Sequence, residues 1–94
     1  MAFTRLALFP GATEQHYRAI DKEINEAVKN QPERIMHSCG QVDRGWQLVQ
    51  VWKSKEALDK FVEDHLAPAM KRAGEKGYPA PPEIIDFETV DLFL

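Results

Sequence analysis

Residues 45–61 read GWQLVQVWKSKEALDKF, and within them a strand pattern passes directly into a helix pattern. Side chains alternate between the two faces of a strand, which places Trp46, Leu48 and Trp52 on one side and Val49 and Val51 on the other. Ser54 can then cap a helix, and Glu56 falls in the first turn, where the helix dipole favours a carboxylate. This stretch predicts a strand followed at once by a helix.

The residues before this stretch predict two more strands and one helix. Asp43-Arg44-Gly45 separates two extended runs, so residues 34–52 predict an antiparallel pair joined by a short turn. Ala2 to Phe9 predict a first strand that stops at Pro10-Gly11. Between these strands a helix is expected from Thr13 to about Asn30, because apolar residues recur at spacings of three and four: Tyr17, Ile20, Ile24, Ala27 and Val28.

The residues after it complete the order of elements. The helix that begins after Ser54 should continue to about Gly74, with a kink or break near Ala67, because Pro68 has no amide hydrogen for the preceding turn. Ile84 to Leu94 predict a fourth strand that runs to the last residue. The order is βαββαβ, the α+β ferredoxin-like arrangement of an antiparallel four-stranded sheet with two helices on one face.

Composition limits what the chain can do. Its 94 residues fit a single domain, residues 1–94. Twelve Lys and Arg against fifteen Asp and Glu give a net charge of -3, and the basic residues are scattered, so no nucleic-acid partner is expected. The apolar runs are far shorter than the roughly 20 residues that cross a bilayer, so no membrane association is expected either. Residues Met1 to Phe9 carry Arg5 and lack the long apolar core of a signal peptide, so we expect a cytoplasmic protein. Cys39 is the only cysteine, so no internal disulfide is possible, which fits a reducing compartment.

Both faces of the predicted sheet are apolar. On strand one, Phe3, Ala7 and Phe9 lie opposite Leu6 and Leu8, and on strand four, Ile85, Phe87 and Phe93 lie opposite Ile84, Val90 and Leu92. Right-handed crossovers place both helices on one side, which leaves the second face uncovered, and such an apolar area usually marks an interface. A homodimer that packs sheet against sheet is the simplest expectation. The alternative is a β-bulge that shifts the register and hides half of these residues in one core.

The stretch from Gly45 to Leu58, together with Phe61 and Leu66-Ala67-Pro68-Ala69, resembles the third strand and second helix of dimeric α/β-barrel proteins similar to the antibiotic biosynthesis monooxygenases. The resemblance implies the barrel fold, a homodimer and a cavity for a small hydrophobic aromatic ligand. It also implies oxidation without a cofactor, in which the substrate loses a proton and the resulting carbanion reacts with oxygen. Because this superfamily holds several chemistries, it is better evidence for fold than for activity.

Two branches of the superfamily do not fit. Haem-degrading members carry an Asn on the first strand and a Trp and a His on the second helix, and the corresponding places here hold Thr4, Phe61 and Lys71. Stress-responsive members tend to carry a His on the first strand, which has none here. Neither activity is expected.

Two histidines are the candidate catalytic residues, as base or hydrogen-bond donor, because a small change of environment moves an imidazole across neutrality. His37 is predicted on the same face of strand two as Ile35, Cys39 and Gln41. His65 lies on the apolar stripe of the second helix. The alternative for each is a structural histidine bonded within the core or an interface. His37 and Cys39, with His65, form too weak a pattern for a zinc site, so no metal is expected.

Four further residues are candidates for substrate binding: Trp46, Trp52, Phe61 and Arg5. The aromatic side chains could line a pocket, and core packing is the alternative for the two tryptophans. Arg5 either holds an anionic substrate or pairs with a carboxylate such as Asp91 or Glu88 across the dimer.

Two functions from different classes remain after these considerations. One is a cofactor-independent, monooxygenase-like enzyme acting on a small hydrophobic aromatic compound. The other is a non-catalytic homodimer that binds a small molecule or serves as an accessory protein.

Overall fold

The computed structural model describes all 94 residues except the side chain of Ala27, and it has the predicted βαββαβ order. The place of Ala27 on the apolar stripe therefore lies outside the described residues. The strands are β1 (Phe3–Pro10), β2 (Arg34–Val42), β3 (Gly45–Trp52) and β4 (Glu83–Glu88). The helices are α1 (Glu14–Asp21), α2 (Glu26–Lys29), α3 (Lys55–Phe61) and α4 (Ala67–Ala73), with a π-helical turn at Val62–Leu66 and a 3-10 turn at Gly74–Lys76.

The strands form one antiparallel sheet in the order β2-β3-β1-β4. The ferredoxin-like prediction is therefore confirmed. Gly45 closes the β2–β3 hairpin with φ +154°, and a Cβ atom there would collide with the carbonyl oxygen of Phe9 on the neighbouring strand. The turn needs glycine at this position both for its backbone conformation and for the close approach of β1.

The helices cover one face of the sheet, here called the helix face. Its side chains form two buried clusters with residues of the helices. One cluster contains Ala7, Phe9, Ala12, Trp46 and Leu48, and the other contains Phe3, Trp52, Leu58 and Phe61. Trp46, Leu48 and Trp52 all lie in this layer, as their alternation along the strand predicted.

The second face, here called the open face, belongs to neither cluster in the described part of the chain. The strand register brings together Leu6, Val49 and Ile85 in one row across three strands, and Thr4, Val51 and Phe87 in the next. Ile85 and Phe87 are 62% and 48% exposed. Thr4 and Val51 are buried within the chain, so the uncovered apolar surface consists of Ile85 and Phe87 on β4 together with the partly exposed Leu6 and Val49.

A β-bulge occurs in β2, where the register shifts between Arg34 and Met36. It does not hide the apolar residues in one core, because β1, β3 and β4 pair in regular register and Ile85 and Phe87 stay exposed. Its consequence is local. Arg34 pairs with Trp52 and His37 pairs with Gln50, so both side chains lie on the helix face. In a regular strand, side chains three positions apart would lie on opposite faces.

The first predicted helix is divided, which corrects the expectation of one helix to Asn30. Helix α1 ends at Asp21, and α2 begins after Asn25, whose carbonyl accepts from the amides of Val28 and Lys29. Asparagine is among the preferred residues immediately before a helix and competes poorly inside one. The break lets Ile24 and Val28 pack on the cluster around Trp52.

Strand four is shorter than predicted. It ends at Glu88, which pairs with Phe3 at the beginning of β1, so the chain beyond it has no strand to bond. A last backbone bond joins the Thr89 amide to the Ala2 carbonyl oxygen. Val90, Phe93 and Leu94 follow outside the sheet and are 86–91% exposed.

Pro68 changes the second predicted helix without breaking it. The amide of Ala67 donates to the carbonyl of Val62, five residues back, which makes the π-helical turn. Helix α4 then begins with Pro68 in its first turn, where a missing amide hydrogen costs little. Ser54 caps α3 as predicted, with its hydroxyl accepting from the Ala57 amide at 3.1 Å. No helix in the described residues is long and apolar enough for a membrane span.

Candidate functional site

A cavity of about 230 Å³ lies between the helix face of the sheet and the helices. Its apolar walls are Phe9, Ile20, Ile24, Leu48, Phe61 and Leu66. Pockets for drug-sized ligands usually measure about 300–1,000 Å³. This cavity is slightly smaller and suits a compound of one or two rings.

The other side chains that line the cavity carry polar groups. They are Tyr17, Arg34, His37, Gln50 and Tyr78, with the Asp21–Lys29 ion pair at 3.2 Å. Apolar walls with a few fixed polar groups are the usual composition of a small-molecule site. The β2 bulge matters here because it puts both Arg34 and His37 on the cavity side of one strand.

His37 lies at the mouth of the cavity, since it belongs to the lining and is one of the exposed residues of β2. Its ring meets that of Tyr17 edge to face, with ring centroids 6.4 Å apart. Burial of the ring and the nearby positive charge of Arg34 lower the pKa of His37, and Asp21 only partly opposes them. At neutral pH the imidazole is therefore uncharged and able to accept a proton.

Arg34 is held over two aromatic rings. Its guanidinium carbon lies 5.8 Å from the ring centroid of Trp52 and 5.7 Å from that of Phe61, and Nη2 donates to the carbonyl oxygen of Lys29. Burial lowers the pKa of Arg34, but an arginine side chain stays protonated in proteins. The cavity thus contains a fixed positive charge within an aromatic wall.

Gln50 is oriented by a neighbour on its own strand. The Nε1–H of buried Trp52 donates to the Gln50 Oε1 at 2.8 Å, which fixes the amide plane. Because this bond uses Oε1, the group that Gln50 can offer as a hydrogen-bond donor is its amide nitrogen. Trp52 acts on the cavity through this bond and not as a wall.

Two tyrosines complete the polar set. Burial raises the pKa of Tyr17, with Cys39 and Asp21 nearby adding to the effect, and burial raises the pKa of Tyr78. Both hydroxyls remain protonated at neutral pH and can donate hydrogen bonds. Each ring is stacked on a core aromatic: Tyr17 on Trp46 at 5.4 Å between centroids, and Tyr78 on Phe9 at 3.6 Å.

Two solved structures are similar to this chain over nearly its whole length. Rv0793 from Mycobacterium tuberculosis has a TM-score of 0.66 at 17% sequence identity, over 97% of this chain and 96% of the other. A monooxygenase from the gene ActVA-Orf6 of Streptomyces coelicolor, solved in complex with the ligand nanaomycin D, has a TM-score of 0.61 at 13% identity, over 99% of this chain and 90% of the other. The chain has their fold. No protein-family model matches the sequence, and no curated protein is similar to it.

These likenesses confirm the fold that the resemblance of residues 45–69 implied, that of proteins similar to the antibiotic biosynthesis monooxygenases. At identities of 13–17% they show the fold alone.

The cavity brings together two of the six residues that the sequence singled out, His37 and Phe61. His65 lies beyond Phe61, with ring centroids 5.6 Å apart, and borders a shallow surface depression with Lys60 and Asp64. Trp46 is buried in the core beneath Tyr17, and neither tryptophan lines the cavity. Core packing, the alternative considered from the sequence, describes both tryptophans.

Arg5 is also away from the cavity lining. Its Nε and Nη2 donate to the two carboxylate oxygens of Asp86 at 2.9 and 2.8 Å. The partner is therefore a residue of the same chain on the adjacent strand, and not Asp91 or Glu88 across a dimer. Asp86 already occupies the Nε–Nη2 edge of the guanidinium. Arg5 is therefore a poor candidate for binding an anionic substrate.

Sequence reasoning missed Tyr17, Arg34, Gln50 and Tyr78 as cavity residues. Gln50 carried a signal, since it is a polar residue between Leu48 and Trp52 on an apolar strand face. Tyr17 was assigned to the helix stripe without a function. In the described residues, no three His, Cys, Asp or Glu side chains lie close enough together to hold a metal ion.

We predict that the pKa of His37 lies below the usual value of about 6.5 and rises when Arg34 is replaced by Gln. Burial and the Arg34 charge both lower this pKa, and the substitution removes only the second cause. NMR titration of the histidine ring resonances in the wild type and in Arg34→Gln measures both effects. Arg44→Gln, on the exposed hairpin turn, is the control and should leave the titration of His37 unchanged. A His37 pKa at or above the usual value, or one insensitive to Arg34, would contradict this electrostatic description.

Proposed function

We propose that the protein is a cofactor-independent, monooxygenase-like enzyme that oxidises a small aromatic compound bearing a phenolic hydroxyl. The observation that carries the proposal is the uncharged His37 beside the charged Arg34, at the mouth of a cavity with apolar and aromatic walls. The shared fold with a monooxygenase supports it at the level of architecture.

The residues of the cavity have separate tasks in this proposal. His37 accepts the phenolic proton, the positive charge of Arg34 favours an anionic substrate in the cavity, and the protonated hydroxyls of Tyr17 and Tyr78 donate to the negative charge that forms on the ring. Gln50, Tyr17 and Tyr78 orient the substrate by hydrogen bonds, and the apolar walls keep water away from the electron-rich ring.

The reaction balances with molecular oxygen as the second substrate. The phenolate ring carbon gives up electrons to oxygen, and a carbon–oxygen bond forms to give a ring peroxide. Loss of the ring proton and cleavage of the oxygen–oxygen bond then leave a quinone carbonyl and release one water. The substrate loses four electrons and oxygen gains four, so no cofactor has to supply or take electrons.

We propose that two copies pack their open faces together as a homodimer. The support is the apolar row of Leu6, Val49 and Ile85, which the helices do not cover. A second copy is the simplest cover, because the open face of one subunit offers the same apolar surface to the other. We also propose a cytoplasmic location, because a chain with a single cysteine cannot form an internal disulfide.

Replacing His37 with Ala should lower oxygen uptake by about 100-fold or more, which is the usual contribution of a general base. The measurement is oxygen consumption with a panel of naphthols and hydroquinones, using purified protein without added cofactors. His65→Ala should keep the wild-type rate, because His65 lies outside the cavity.

Equal rates in the wild type and His37→Ala would contradict the assignment of the base, and a loss confined to His65→Ala would move it to that residue. If the wild type consumes no oxygen on any compound but retains one of them tightly, the protein is the non-catalytic binding homodimer instead.

Replacing Ile85 with Glu should convert the dimer to a monomer at micromolar concentration, because it puts a charge in the exposed apolar part of the open face. Ile84→Glu is the matched control, since Ile84 is the adjacent residue of β4, is 46% exposed and pairs on the opposite face with Ala7. Size-exclusion chromatography with light scattering gives the molar mass of each. Dissociation by both variants, or by neither, would exclude the open face as the specific interface.

A further inference from the structure

Arg34 is the one cation lining the cavity that has no carboxylate partner among the described residues. The other charged residues of the lining, Asp21 and Lys29, are bonded to each other at 3.2 Å, and Lys29 also contacts the exposed Glu26. The guanidinium of Arg34 shows one hydrogen bond, from Nη2 to the Lys29 carbonyl oxygen. Because this acceptor is neutral, the guanidinium of Arg34 keeps its full positive charge.

The surroundings of Arg34 hold this charge without neutralising it. Trp52 and Phe61 contribute ring faces, which attract a cation more weakly than a carboxylate does. His37, the nearest titratable residue on the strand, is uncharged at neutral pH. Asp21 is near enough to favour the charged form of Arg34 and would repel a bound anion, but its carboxylate is bonded to Lys29. The cavity therefore contains one positive charge in excess.

A guanidinium also has the right shape for one kind of anion. Its planar fork matches the two oxygens of a carboxylate, and Nε and Nη1 are not engaged in any hydrogen bond that the described residues show. The bulge puts Arg34 and His37 on the same face of the strand. A ring compound whose carboxylate is bound to the guanidinium would therefore have its ring on the side of the imidazole.

We propose that the cavity is specific for aromatic acids, with the carboxylate bound to Arg34 and the ring between the apolar walls next to His37. This inference rests on the proposed function for the identity of the cavity, and it adds the substrate class: a hydroxylated aromatic carboxylic acid. Arg34 is then the residue that determines specificity.

Isothermal titration calorimetry at neutral pH with 2-naphthoic acid and 2-naphthamide tests it. The two probes share a ring system and differ in charge. The wild type should bind the acid at least tenfold more tightly than the amide. Arg34→Gln should reduce this ratio to about one and leave the affinity for the amide unchanged. Arg44→Gln, which removes a surface arginine paired with Glu83, should keep the wild-type ratio.

Equal affinities for the two probes in the wild type would overturn the proposal, as would a preference for the acid that survives Arg34→Gln. Binding of neither probe at millimolar concentration would overturn it as well. If Arg34→Gln does not unfold cooperatively, Arg34→Lys decides, because lysine keeps the charge but cannot bind both carboxylate oxygens in one plane. The preference should then fall several-fold, and an unchanged preference would contradict the role of Arg34.

Calorimetry measures binding and the oxygen electrode measures turnover, so the two proposals can fail separately. A preference for the acid without oxygen uptake supports the aromatic-acid site and rejects the monooxygenase. Oxygen uptake without a preference for the acid supports the monooxygenase and rejects the aromatic-acid site.

Discussion

Both faces of one four-stranded sheet are apolar, while the chain supplies helices for only one of them. The crossovers from β1 to β2 and from β3 to β4 are right-handed in nearly all proteins, so both helical segments lie on the same side. This constraint divides the molecule into a helix face that encloses a cavity and an open face that needs another molecule to cover it. The two proposed properties, ligand binding and dimerisation, follow from the two faces.

The cavity depends on irregularities in otherwise regular elements. The bulge at the start of β2 brings Arg34 onto the face of His37, the break after Asp21 lets Ile24 line the cavity, and the π-helical turn connects Phe61 with Leu66, which also line it. Functional sites are where departures from ideal geometry are expected to collect. Regular strands and straight helices would have closed the space with side chains or pointed Arg34 at the open face.

Much of the fold could be predicted because its signals are local. The Ser54 cap, the Asp43-Arg44 turn before Gly45 and the alternation along β3 all act within a few residues. The end of β4 at Glu88 could not be predicted, because it is set by where β1 begins. The cavity residues were harder to predict than the fold. Arg34 lies on the cavity side only because of the bulge, and Tyr78 reaches the site by stacking on Phe9, which is far away in sequence. Residue type singled out His37 and His65 equally, since both were expected on apolar faces, and only the three-dimensional packing places them in different depressions.

The division of the sheet into a helix face and an open face is tested most directly by contacts between copies of the chain. In a sample that mixes isotopically labelled and unlabelled protein, filtered NMR experiments detect only nuclear Overhauser effects that cross from one copy to another. Such effects are expected for the methyl groups of Leu6, Val49 and Ile85, and none are expected for those of Leu48 or Leu58 on the helix face. An absence of intermolecular effects, with the tumbling of a 10.8 kDa particle, would contradict it.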